Sequence, residues 1–220
     1  MSDSLSYNHN FVGVYVFEAV CETGLGAETL LIESRISASG KLLLFTVVNG
    51  QPMRGGSIQD LVLSYPQCLS LSIGHTLHIS WNNAHKKAEV YEIYVPSHSK
   101  HNMINMKVRL HIDHMSYETE ECETLTEAIG ELKTLTGPQI AWWFQTCHHC
   151  LYSYPAFRGP GWDDRDHLRC YRDAPNELVQ VQQKGQKFVD FDTMYAGSYF
   201  VNAFHTCAAW QPPTAGAKDL

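Results

Sequence analysis

The sequence predicts an α+β fold, an antiparallel β-sandwich core flanked by helices, with the helices concentrated in the C-terminal half. Three observations predict it. Between residues 11 and 115, short runs rich in Val, Ile, Leu, Tyr and Phe recur, several alternating apolar and polar side chains. Turn formers such as Ser37-Ala-Ser-Gly40, Asn49-Gly50, Gly55-Gly56 and Asn82-Asn83 separate them. Near Glu118 the pattern changes, and helix caps and Gly-Pro stops replace the alternation. The 220 residues read as a single domain. It comprises an N-terminal arm (1–10), a mostly β part (11–115) and a part of helices and loops (118–210).

In chain order, Phe11–Cys21, Glu28–Ile36 and Lys41–Val48 have the β-branched and aromatic composition of strands. Asn49 to Gly56 is expected to be a loop around Pro52. Ile58–Tyr65 and Cys68–Ser80 follow as strands. In the latter, Leu69, Leu71 and Ile73, then Leu77, Ile79 and Trp81, share a face. Ala88–Val95 places Val90, Glu92 and Tyr94 on one side before Pro96-Ser-His98 breaks it. Met103–Asp113 alternates Ile104, Met106, Val108, Leu110 and Ile112 with polar partners and is the clearest strand.

Thr124-Leu-Thr-Glu127 then has the spacing of a capping box, and Gly137-Pro138 closes that helix. Pro138 suits the first turn of a second helix reaching about Ser153. On it Trp143, Cys147 and Cys150 fall at i, i+4 and i+7, one stripe, with His148 and His149 directed elsewhere. Tyr154 to Pro175 reads as an aromatic loop and Phe188–Phe191 as a short strand. A third helix is expected from Asp192, an N-cap residue, to Trp210.

Composition narrows the function. The net charge of −7 and the lack of a basic stripe exclude a general nucleic-acid binder. Phe11 to Val20 is half the length of a bilayer span and carries Glu18, so no membrane partner is expected. The first residues lack the pattern of a secretory signal, which leads to the expectation of an intracellular protein. Seven cysteines, an odd number, then point to reduced thiols. Charged residues are only 18% and hydrophobic ones 44%, a balance suited to burying surface against partners.

The chemistry concentrates in Trp142-Trp-Phe-Gln-Thr-Cys-His-His-Cys150. Cys147-x2-Cys150 is followed after sixteen residues by His167-x2-Cys170, a spacing found in structural zinc modules. Zinc knuckles favour small turn residues, so that backbone amides face the thiolates. Here the cysteines are embedded in a sequence that reads as helix, where thiols serve as small apolar fillers. A nucleophilic Cys147 with a histidine partner is a further alternative, weakened because twelve histidines make Cys–His proximity commonplace. A thioredoxin-like Cys-x-x-Cys lacks its βαβ context. Asp163-Asp-Arg-Asp166 lacks the ligand spacing of a calcium loop. His98, His101, His111 and His114 surround one strand and read as surface residues.

A resemblance adds to this reading. Glu89-Val-Tyr-Glu-Ile-Tyr-Val-Pro96, with Tyr94 and Pro96, then His98, Asn102 to Ile104 and Val108, is similar to a strand, proline–histidine turn and strand of the cypovirus polyhedrins. Tyr7-Asn-His-Asn10 before Gly13-Val-Tyr-Val-Phe17 resembles that family's lead into its first core strand. Phe144-Gln145-Thr-Cys147 resembles a Phe-Gln-Ser-Cys stretch on its late helix. Together the patches cover about a third of the chain.

The resemblance implies a structural, non-catalytic protein without cofactor. It would form homotrimers that pack into crystals (occlusion bodies) in the host cytoplasm, embed virions through a virion surface protein, and dissolve at alkaline pH. Bound nucleotides are implied by the same family. The arm before residue 11 is shorter, and the part beyond Tyr154 longer, than that family's pattern. Alkaline release suits eleven tyrosines and seven cysteines, whose ionisation by about pH 11, together with loss of charge from the lysines, would move the charge from −7 to roughly −30. The other readings are a zinc-stabilised intracellular interaction domain on Cys147, Cys150, His167 and Cys170, and a Cys147-dependent hydrolase.

Overall fold

The computed structural model describes residues 11–37, 42–48, 51–55, 58, 62–63, 68–97, 104–155, 168–184, 199–201 and 203–213. The antiparallel β core is present, and α-helices follow it in the C-terminal half. Strands β1 (Phe11–Thr23), β2 (Gly26–Ser37), β3 (Leu42–Val48), β4 (Gln51–Gly55), β5 (Cys68–Trp81), β6 (Ala84–Pro96), β7 (Ile104–Ile112) and β8 (Met115–Glu118) form one sheet in the order β4-β3-β2-β1-β5-β6-β7-β8. A ninth strand, β9 (Trp142–Phe144), joins it on β5. A second sheet of three short strands, β10 (Ser153–Pro155), β11 (Leu168–Cys170) and β12 (Tyr199–Val201), lies later in the chain.

Period-two patterning sets which face is buried. In β7, Ile104, Met106, Val108, Leu110 and Ile112 are all buried and the residues between them half-exposed. Ala88, Val90, Glu92 and Tyr94 of β6 turn to the same core. Asn82 and Asn83, both at positive φ, make the two-residue turn between β5 and β6 that twisted hairpins prefer. Helix α1 (Leu125–Thr136) packs on β7 and β8 through Leu125, Ala128, Ile129 and Leu132. Its cap is as the sequence foretells: Thr124 Oγ1 accepts the Glu127 N–H at 3.2 Å. The Glu127 carboxylate reaches back to accept from Glu123 N, at 3.0 Å. Gly137 ends the helix at φ +94°, a conformation that side chains with a Cβ rarely adopt.

Five expectations are corrected. Gln51–Gly55 is not a loop but the edge strand β4, where Pro52 is tolerated because edges leave some N–H groups unused. Between β4 and β5, the described residues Ile58, Val62 and Leu63 are helical rather than extended. Leu69 is exposed, because the β1–β5 register shifts between Glu22 and Thr23 and takes it off the buried face.

No helix spans Pro138 to Ser153. Beyond Ile73 the edge of β5 is no longer paired by β1, and Trp142–Phe144 pairs there with Ile79–Trp81. Backbone groups on an open edge demand partners, and an aromatic triplet supplies them while burying Trp142 and Phe144. Nor is there a helix in the described part of 192–210, which holds β12 and then turns. Helix α2 (Pro175–Lys184) stands instead within the second half, with Pro175 at its first position and Glu177 in its first turn. Phe188–Phe191 and residues 1–10 lie outside the described residues. Among the described residues, no helix is long and apolar enough to cross a membrane.

Candidate metal centre

Because Trp142–Cys150 is not an α-helix, its cysteines sit in a setting the sequence did not suggest. After β9, Thr146 enters a single 3-10 turn, Cys147–His149, closed by Cys150 N–H donating to the Cys147 carbonyl at 3.2 Å. The Ser153 hydroxyl braces the turn, lying 2.9 Å from the Cys150 carbonyl and also against that of Cys147. Ser153 is itself the register partner of Cys170, so β10 carries Cys170 to the turn bearing Cys147 and Cys150. Three of the four sequence-predicted ligands are therefore brought together. The fourth, His167, lies outside the described residues.

A residue that sequence reasoning passed over joins them. Cys147 N–H donates to the His205 carbonyl at 2.9 Å, His148 N–H to Ala203 at 2.9 Å, and Leu151 N–H to Gln211 at 3.0 Å. This ladder lays residues 203–211 along the turn and brings Cys207 beside it. Burial pushes the Cys147 thiol well up from its ordinary value, and the neighbouring Cys150, Cys170 and Cys207 sulfurs push it further. A raised thiol is the opposite of an activated nucleophile, so this geometry lends nothing to the Cys147 hydrolase reading.

As the side chains stand, no three His, Cys, Asp or Glu groups among the described residues are spaced as a coordination sphere. The hydrogen-bonded backbone, however, lays the segments that carry Cys147, Cys150, Cys170 and Cys207 alongside one another. Rotation about χ1 moves each sulfur among its staggered positions without moving a strand. Soft thiolates suit zinc, at about 2.3 Å from each sulfur.

The two histidines of the turn face inward, contrary to expectation. His149 is buried against Trp142, Trp143 and Phe144, and its Nδ1 accepts the Phe144 N–H at 3.2 Å. Burial drives the His148 pKa down to about 4, with Lys133 adding to the shift. Both rings work as neutral packing groups. Their burial was not legible from sequence because it follows from β9 joining β5.

The resemblance-carrying residues are spread over the sheet. Tyr94 is fully buried and donates to Glu92 Oε2 at 2.5 Å, while His75 Nε2 stands 2.5 Å from Glu92 Oε1 and its ring stacks on Phe204 at 4.6 Å. Pro96 ends β6, and Phe144 fills the core. Gln145 Nε2 meets His85 Nδ1 at 2.5 Å. Phe144 to Cys147 lies on a strand and a 3-10 turn, not on a helix. His98 and Asn102 lie outside the described residues, as do His101 and Asp163 to Asp166. His111 is half-buried, edge-on to Tyr91, and His114 is exposed in the β7–β8 turn, where its neighbour Asp113 pairs with Lys86. No family model, curated protein or solved structure matches the chain.

Proposed function

We propose that this chain is a non-catalytic interaction module in which a bound zinc ion clamps the C-terminal segments to the β-sheet. The observation that carries the reading is the pairing of Ser153 with Cys170, which returns Cys170 to the Cys147–Cys150 turn across a long excursion of chain. The described segments after residue 167 are mostly short, and a metal cross-link would join them to the main sheet. Elemental analysis of the purified protein tests it. One zinc per chain is expected, with loss of the C-terminal fold on chelation; no stoichiometric zinc and unchanged folding with chelator would end the reading.

A second reading, the self-assembling occlusion-body protein, is favoured by one observation. Val20 and Leu31, diagonal neighbours on the outer face of β1 and β2, are 42% and 45% exposed. Apolar side chains on an uncovered sheet face suit contacts between copies of the chain, as homotrimer and lattice. Expression in insect cells should then give microcrystals that dissolve only at strongly alkaline pH. A monodisperse monomer at neutral pH and high concentration would remove it.

A further inference from the structure

We infer that the fourth ligand of the metal centre is Cys207, so that Cys147, Cys150, Cys170 and Cys207 form a tetrathiolate zinc site. The inference rests on the zinc-module reading and fixes its ligand set, replacing His167.

Cys207 has the local structure that a zinc knuckle requires. It is followed by Ala208 and Ala209, small residues that let the backbone curl around the sulfur. The Ala209 N–H, two residues on, donates to Cys207 Sγ at 3.4 Å, and Trp210 N–H closes the turn on the Cys207 carbonyl at 3.0 Å. Cys150 repeats the arrangement: its sulfur accepts from the backbone N–H of Tyr152, also two residues on, and from that of Gln211. Amides aimed at sulfur stabilise thiolate rather than thiol, and they fix the orientation of a metal-bound cysteine.

The two turns face each other. The hydrogen bonds from Cys147 to His205 and from Leu151 to Gln211 bracket Cys207 against the Cys147–Cys150 turn, while β10 holds Cys170 on the same side. Charge is also provided for. Four thiolates around Zn²⁺ leave a net −2, and Arg172 Nη1 lies 3.8 Å from Cys207 Sγ to offset part of it. Each thiol that binds gives up its proton to solvent, so loading releases protons and tightens as pH rises.

The ligand set explains why the site would matter. Cys147 and Cys150 follow β9 on the main sheet, Cys170 ends β11 and Cys207 belongs to the last described segment. One ion would join three segments that lie far apart in sequence.

The test uses the full chain, stripped by chelation under reducing conditions and titrated with Co²⁺ and then Zn²⁺. Wild type should bind one ion, with the sulfur-to-cobalt absorption of four thiolates. Cys207→Ser should weaken zinc binding at least about 100-fold, beyond the 10–100-fold expected for an outer-sphere partner. Cys207→His, which keeps a ligand, should retain the ion while the cobalt bands lose one thiolate's share and move to shorter wavelength. His167→Ala should behave as wild type. If wild type binds one ion but Cys207→Ser and Cys207→His leave affinity and spectrum unchanged, or His167→Ala abolishes binding, the Cys207 assignment is overturned and the zinc module stands. If wild type binds no metal, both are overturned.

Discussion

Glu92 shows what a single residue contributes to this sheet. Its carboxylate is fully buried in β6, between the His75 ring and the Tyr94 hydroxyl. Removing it with Glu92→Ala takes the acceptor away from the buried Tyr94 hydroxyl and the half-buried His75 ring, at a cost of about 2 kcal/mol or more. Glu92→Gln keeps the shape and an acceptor, and should cost less; denaturant unfolding of the two variants measures the difference. Cys21 gives a pH-dependent counterpart. Its thiol lies 3.1 Å from Cys68 Sγ, and burial pushes it from 9.0 to about 12, with the Cys68 contact adding to the shift. The folded state holds this proton more tightly than the unfolded state. Its contribution is therefore complete below pH 9 and is lost as pH rises towards 12. The unfolding midpoint should fall over that window, and the fall should be shallower in Cys21→Ala, whatever that variant's baseline. The inward face carrying Val90, Glu92 and Tyr94 was legible from alternation alone. That Glu92 would find His75 was not, because the pairing depends on the register of β5 against β6.

At the scale of the element, α1 and β9 stand at opposite ends of legibility. The cap of α1 is local chemistry, two side chains satisfying amides within one turn, and Thr124-x-x-Glu127 specified it without help from the rest of the chain. Thr124→Ala should cost about 1 kcal/mol, measurable by thermal or denaturant unfolding. Trp142–Phe144 had the opposite fate. Its apolar spacing fits a helix as well as a strand, and the choice was made by the free edge of β5 between Ile79 and Trp81. Flanking bonds consolidate it, with Asn82 N–H donating to the Ala141 carbonyl at 2.7 Å and Gln145 N–H to His78 at 2.9 Å. The buried Trp142 indole then finds Thr136 Oγ1 at 2.9 Å, tying the new strand to the end of α1.

For the whole molecule, the decisive feature is how the last described segment returns to the main sheet. Phe204 is buried, stacks on His75 and packs on Phe144, so it anchors residues 203–211 to both β5 and β9. Phe204→Ala should cost about 3–5 kcal/mol, lowering Tm by roughly 6–20 °C for a chain of this size. If the metal centre is built as inferred, the same variant should also weaken zinc binding, since the segment bearing Cys207 loses its anchor. Calorimetry with and without chelator separates the two contributions: the Tm difference between variant and wild type should shrink once zinc is stripped from both.

By itself the sequence determined the antiparallel β core, its buried face over β6 and β7, the Asn82-Asn83 turn and the cap and stop of α1. All depend on period-two patterning or on contacts within one turn, which act at short range along the chain. Tertiary structure alone decided that Trp142–Phe144 is a strand, that His148 and His149 are buried, and that Cys207 stands with Cys147, Cys150 and Cys170. Each of these required an edge, a register or a returning segment supplied by residues far away in sequence. Local spacing carries no record of such partners, which is why Cys207, far from the other three cysteines in sequence, was not legible there as their neighbour.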